Sequence, residues 1–221
     1  ADFTSAVTSL QIADRTALVG EWIFGGSEAE TIKNRAGGSS LVPVGTPTYN
    51  SNYVSGTMTT NRFDTQITPP IGGDTTVILV GKSSVANWGG WALAAKHSAY
   101  DGLYFYQASA FYNNQSGTPA EVANLPFPTA NTWTFVAGCG ANAGLGEVYV
   151  ANNGVISSAV AEVAGYARPQ TTSVYKFANE GSSDMQWAYA AIFNRKLSAS
   201  EIADVYSGVK TLLSIRGLTI S

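Results

Sequence analysis

Short runs of alternating apolar and polar residues recur along this chain, each closed by a turn signal. Residues 102–108 (GLYFYQA) set Leu103 and Phe105 against Tyr104 and Tyr106. Residues 132–138 (TWTFVAG) put Trp133 and Phe135 on one face, and residues 146–151 (GEVYVA) do the same with Val148 and Val150. Residues 75–82 (TTVILVGK) form a β-branched run, and residues 173–178 and 185–194 complete the set. A strand of period two buries one face and offers the other to solvent or ligand. Gly25-Gly26, Gly37-Gly38, Pro69-Pro70, Gly72-Gly73, Gly89-Gly90 and Asn152-Asn153-Gly154 punctuate the runs, the last as a hairpin turn. Many short strands with frequent turns predict an all-β sandwich or barrel.

A helical period comes near the end. Ser198-Ala199-Ser200-Glu201 fits a capping box, with Ser198 as N-cap. Ile202, Val205, Tyr206, Val209, Leu212 and Leu213 then follow helical spacing. The spacing predicts one short C-terminal helix, its apolar stripe laid on the sandwich, and residues 216–221 (RGLTIS) as a return strand.

Composition narrows the reading. Only 12% of residues are charged, against 23 Gly, 11 Tyr, 9 Phe and 5 Trp, which suits strands and tight turns rather than surface helices. No linker, low-complexity block or repeat divides the 221 residues, so a single domain over residues 1–221 is expected. The net charge is −3 and the 12 Lys and Arg form no run, which excludes a nucleic-acid partner. No stretch approaches the ~20 apolar residues of a membrane span. Cys139 is the only cysteine, so no intrachain disulfide and no cysteine-based metal site is available; between Gly138 and Gly140 it reads as a buried, inert thiol.

The two ends of the chain carry a family resemblance. Residues 18–24 (LVGEWIF), 32–37 (IKNRAG) and 45–49 (GTPTY) resemble the opening of laminin-G-like jelly-roll domains of the concanavalin A-like superfamily. Residues 187–206 (WAYAAIFNRKLSASEIADVY) resemble that family's closing strand, its Asn-Arg-x-Leu-Ser stretch and its capped helix. Residues 132–137 with Val148-Tyr149-Val150 fit its central hairpin. The helix running into Arg216-Gly217 is similar to domains of bacteriophage virion proteins. The resemblance implies an antiparallel β-sandwich jelly roll of two packed sheets, one curved, with a concave face that often binds carbohydrate. It also implies Trp22, Trp133 and Trp187 as core residues. Some relatives bind Ca²⁺, and others are glycoside hydrolases or polysaccharide lyases.

The residues speak against the catalytic branch. Hydrolases of this fold use carboxylates two apart on one strand face, so that nucleophile and acid converge on one bond. No Glu-x-Asp-x-x-Glu pattern occurs here. Glu28 and Glu30 have the spacing but sit beside Gly25-Gly26 in what reads as a loop, and Glu201 and Asp204 fall on the exposed side of the helix. The strand motifs of alginate lyases are absent as well. His97 is the only histidine; it lacks a nucleophile elbow and reads as a surface residue. Gly72-Gly73 and Gly89-Gly90 lack a phosphate-loop context.

A binding role remains. Residues 87–115 hold the densest mixture of aromatic and amide side chains, the chemistry that stacks on pyranose faces and bonds to sugar hydroxyls. Trp88, Trp91, His97, Asp101, Tyr104, Tyr106, Tyr112, Asn113 and Asn114 are the candidate ligand contacts. No cofactor is called for; Asp64, Asp74, Asp101 and Asp184 are candidate calcium ligands, without an EF-hand-like string to group them. The expectation is a non-catalytic module that binds a glycan or cell-surface polysaccharide, located on a virion or outside the cell. The alternative is a purely structural virion decoration, fibre or tail component, with other virion proteins or copies of itself as partners. A glycan-cleaving enzyme ranks third, on fold analogy alone.

Overall fold

A computed structural model describes residues 15–57, 60–70, 73–84, 90–96, 100–106, 109–113, 124–126, 130–140, 146–160, 173–180 and 184–221. In chain order the strands are β1 (Leu18–Ile23), β2 (Val42–Val44), β3 (Thr48–Tyr49), β4 (Val54–Thr57) and β5 (Arg62–Asp64). They continue with β6 (Thr75–Ser83), β7 (Gly90–Lys96), β8 (Tyr100–Tyr106), β9 (Ser109–Asn113) and β10 (Asn124–Pro126). The last are β11 (Thr134–Gly140), β12 (Glu147–Asn152), β13 (Val155–Val160), β14 (Tyr175–Glu180) and β15 (Asp184–Phe193). Helix α1 spans Glu28–Ile32 and helix α2 spans Ala199–Ile215.

Every described strand pairing is antiparallel. The first sheet runs β13-β12-β11-β6-β15-β4-β3, with β1 also on β15, and the second runs β10-β9-β8-β7-β14-β5-β2. One apolar core lies between them. It takes Trp22, Val77, Leu79, Val136, Val148, Val150 and Trp187 from the first sheet, and Phe63, Leu93, Leu103, Tyr175 and Phe177 from the second. Phe24 sits at its centre, with its ring 5.2 Å from Phe177 and 5.8 Å from Phe63. The fold is thus the all-β antiparallel sandwich that the alternation and the turns predict.

A second core lies on the far side of the first sheet. Ile78, Val80, Phe135, Ala137, Cys139, Tyr149, Tyr189, Ala191 and Phe193 face α2, which brings Ile202, Val205, Tyr206, Val209, Leu212 and Leu213. Each large apolar side chain so buried contributes roughly 1.5–3 kcal/mol. Two covered faces explain why β6 and β11 read as nearly unbroken apolar runs: Val77 and Leu79 go to the sandwich core, Ile78 and Val80 to the helix.

Strand β15 serves both cores by means of a bulge. Trp187 pairs with Gly81 and Tyr189 with Val80, leaving Ala188 as an extra residue. Its carbonyl accepts from Phe24 N–H at 3.0 Å. Before the bulge Met185 and Trp187 point inward; after it Ala190 and Ile192 do. The extra residue resets the phase so that Tyr189, Ala191 and Phe193 meet the helix.

Three expectations need correction. The C-terminal helix is not short but 17 residues long, because the stripe from Ile202 to Leu213 is buried throughout. Glu28 and Glu30 lie on α1 rather than in a loop: Ser27 caps it, its Oγ accepting from Glu30 N–H at 3.3 Å. Residues 216–221 are not a strand. Gly217 takes φ +78°, Leu218 N–H returns to Leu213 C=O at 2.9 Å, and the segment then makes a single parallel bridge, Ile220 to Trp133.

Candidate functional site

The outer face of the first sheet divides at the Ala188 bulge. Helix α2 covers the half from Tyr189 onward. On the other half, Asp184 and Gln186 alternate with the buried Met185 and Trp187 and belong to the outer face. Register carries Gln186 to Ser55 on β4 and to Lys82 on β6, and Ser55 on to Thr48 of β3. Two residues along, Asp184 pairs with Thr57. Three polar pairs of spacing two, Thr46/Thr48, Ser55/Thr57 and Asp184/Gln186, therefore converge. With Asn61 and Ser84 they line a groove of about 360 Å³.

The groove is braced from behind. Asn50 Nδ2 donates to Ser55 Oγ at 3.3 Å, and Asn61 Oδ1 accepts from Thr46 N–H at 2.9 Å. Gly56 lets β4 lie directly on Trp187: a Cβ there would strike Asn61 C=O and stand 2.8 Å from the indole. Gln186 Oε1 is buried and has no hydrogen-bond partner among the described residues. At the end of the row, the Lys82 ammonium stands 5.0 Å from the Trp133 ring and 5.9 Å from the Tyr53 ring.

Hydroxyls, amides and one carboxylate make a surface of mixed donors and acceptors, suited to a polyhydroxylated ligand. Asp184 is the one carboxylate lining the groove among the described residues. Three acids elsewhere are held in ion pairs: Asp64 with Arg62 at 3.3 Å, Glu201 with Arg195 at 2.6 Å, and Glu147 with Lys196. Among the described residues no group of three His, Cys, Asp or Glu stands where it could hold a metal ion, and of the candidate calcium ligands Asp64 and Asp184 are on different sheets.

Sequence reasoning also missed a buried charge. Glu21 on β1 is fully buried in the second core. Arg15 Nη2 donates to its Oε2 at 2.7 Å and Tyr189 Oη to its Oε1 at 3.0 Å. Burial and the Glu21 charge push the Tyr189 phenol well above its ordinary range. Cys139, at the bottom of the same core, is a buried thiol pushed up to about 11 by burial.

The candidate contacts of residues 87–115 lie on the second sheet. Trp91 is on β7, Asp101, Tyr104 and Tyr106 on β8, and Tyr112 and Asn113 on β9, three consecutive neighbours. Register places Trp91, Tyr104 and Phe111 side by side, Leu103 opposite Tyr112, and Gly102 opposite Asn113. Leu103 is buried in the sandwich core, as its alternation predicts. Trp88, His97 and Asn114 lie outside the described residues. Trp22, Trp133 and Trp187 are core residues.

No protein-family model and no curated protein matches this chain. Solved structures do. One is the botulinum neurotoxin serotype D binding domain, with TM-score 0.66, 13% identity and coverage of 91% of this chain and 53% of that one. A second is the serotype D ligand-binding domain in complex with N-acetylneuraminic acid, with TM-score 0.61, 14% identity and coverage of 90% and 53%. A third is the neurotoxin DC binding domain in complex with SialylT, with TM-score 0.62, 13% identity and coverage of 88% and 52%. The chain spans about half the length of these structures. At such identity the likeness is one of fold, and the shared fold is a β-sandwich built from two antiparallel sheets.

Proposed function

We propose that this chain is a non-catalytic carbohydrate-binding module of the laminin-G-like, concanavalin A-like type, and that its glycan lies in the groove of Asp184 and Gln186. The observation that carries the reading is the convergence of three polar pairs on one braced groove, a lining of mixed donors and acceptors with a single carboxylate among the described residues. Two of the similar sandwich-containing domains are solved with N-acetylneuraminic acid and SialylT, which makes sialylated glycans the first probes. Trp91, Tyr104, Tyr106 and Tyr112 on the second sheet offer a further contact region. A module of this kind works outside the cell or on a virion surface.

The test is a glycan array, followed by calorimetry of the best ligand with Gln186→Ala, Asp184→Asn and Tyr104→Ala/Tyr106→Ala variants. Loss of a well-placed polar contact weakens binding by about tenfold or more, so Gln186→Ala and Asp184→Asn should each do so. Absence of any glycan binding at millimolar concentration would remove the reading. Binding lost only in the tyrosine variants would remove the groove and move the site to the second sheet.

A structural role as a virion or tail component is favoured by one observation. Among the described residues β13 ends the first sheet and exposes Val155 and Val160, and a sheet edge of that kind can recruit a further strand. Light scattering and mass spectrometry of native particles test it; a strictly monomeric protein absent from any particle counts against it.

A further inference from the structure

Arg35 and Arg216 are brought together from distant parts of the chain. They line one small cavity, about 140 Å³, with Gly25, Gly26, Glu30 and Ser51 and with the apolar Ile23 and Leu212. Both arginines are held by their backbones. Arg35 N–H donates to Glu21 C=O at 2.8 Å, and Asn52 Nδ2 donates to Arg216 C=O at 2.8 Å. Their guanidinium groups are only partly used. Arg216 Nη2 donates to Ser51 C=O at 3.3 Å, while Arg216 Nη1 and Arg35 Nε are buried with no hydrogen-bond partner among the described residues. Arg35 Nη2 stands 3.5 Å from Glu30 Oε2, but that carboxylate is 62% exposed and so weakly held.

Two arginines lining one cavity carry like charges that repel each other, and an anion in the cavity offsets that repulsion. Burial and the neighbouring Arg35 lower the Arg216 pKa to about 10. A fork of N–H donors on a rigid frame matches the geometry of phosphate, sulfate and their monoesters. The volume suits a small ion, being below the roughly 300 Å³ where pockets for larger organic ligands begin. We propose that the Arg35–Arg216 cavity is an oxyanion site for a phosphate or sulfate group. It shares no lining residue with the Asp184–Gln186 groove and does not rest on the glycan reading.

The test is thermal unfolding of the full chain in sodium phosphate and in sodium sulfate, each against sodium chloride at matched ionic strength. A ligand that binds only the folded state raises Tm with its concentration. Wild type should rise in phosphate or sulfate, and Arg35→Gln and Arg216→Gln should each weaken the apparent affinity about tenfold or more, the scale of a charge-assisted pair. Glu30→Gln, an exposed change, should strengthen the response, because it removes the competing carboxylate. No rise in wild type, or equal responses in wild type, Arg35→Gln and Glu30→Gln, would overturn the site even if Arg216→Gln failed to fold. Glucose 6-phosphate then distinguishes the sources. Tighter binding than inorganic phosphate assigns the group to a sugar ester; equal or weaker binding assigns the site to the free ion.

Discussion

Two tyrosines in the helix-side core allow the same chemical change to be made in opposite electrostatic settings. Tyr189→Phe removes the hydroxyl that donates to Glu21 Oε1 at 3.0 Å. The ring stays packed, but a fully buried carboxylate loses its neutral donor and, among the described side chains, keeps Arg15, whose side chain is 41% exposed. A hydrogen bond to a buried charged group is worth about 1.5–3 kcal/mol. In a chain of this size each kcal/mol moves Tm by about 2–4 °C, so Tyr189→Phe should lower Tm by roughly 3–12 °C. Tyr206→Phe removes a hydroxyl that is buried with no hydrogen-bond partner among the described residues, from a ring packed 5.3 Å from Phe135. That change relieves an unpaired polar group and should leave Tm unchanged or raise it by a few degrees. Calorimetric or circular-dichroism melts of both variants and the double variant measure the contrast. Equal destabilisation by the two changes would refute the reasoning, since it would mean that generic packing, not the Glu21 contact, sets the cost.

Two further outcomes follow from ionisable groups at the same face. Glu201 closes the capping box of α2, accepting from Ser198 N–H at 2.8 Å and from Arg195 Nη2 at 2.6 Å, and chiefly through Arg195 its carboxyl is held at about 2, below its ordinary 4.5. A lowered folded-state pKa gives stability that is complete above 4.5 and is lost as pH falls through about 2. Glu201→Gln should therefore cost about 1–2 kcal/mol near neutral pH and flatten the acid limb of urea midpoints; an unchanged acid limb would refute this. The Cys139 thiol, pushed up to about 11 mainly by burial, stays protonated in the native protein. A thiol reagent at mildly alkaline pH should modify it at the rate of unfolding, and immediate reaction without denaturant would count against that environment.

The sandwich was legible because each surface strand obeys one period. Leu103 is buried where its alternation puts it, and Val148 and Val150 share the inner face while Trp133 and Phe135 share the outer. The helix was equally plain from Ser198 and its stripe. Helix α1 carries the same Ser-x-x-Glu signal at Ser27 and Glu30, yet five residues leave no room for a stripe, and Gly25-Gly26 beside it reads as a loop. Glu21 could not be found from the sequence. It is a lone charge inside an apolar strand, and the partners that make it tolerable, Arg15 and Tyr189, lie 6 and 168 residues away.

The groove stayed hidden for a different reason. A search for a sugar site weights aromatic density, and that pointed to β7, β8 and β9 on the second sheet. The polar pairs at Thr46/Thr48, Ser55/Thr57 and Asp184/Gln186 each look like an ordinary solvated strand face. They become one site only through the register of β3, β4 and β15, a long-range property. The decisive residue is Ala188. Trp187 and Tyr189 are two apart and would share a face of a regular strand; the bulge at Ala188 absorbs one residue, so that Trp187 turns to the sandwich core and Tyr189 to the helix. Before the bulge, Asp184 and Gln186 stand on the part of the outer face that lies beyond the helix-side core, where they line the groove. Deleting Ala188 would put the bulge to the proof. With Ala188 removed, Trp187 and Tyr189 become successive residues of a regular strand and keep their faces opposite Gly81 and Val80, and what is lost is the carbonyl that accepts from Phe24 N–H at 3.0 Å. The variant should therefore fold with both cores intact and a lowered Tm, and loss of the helix-side core on deletion would show that Ala188 is not the extra residue of the ladder.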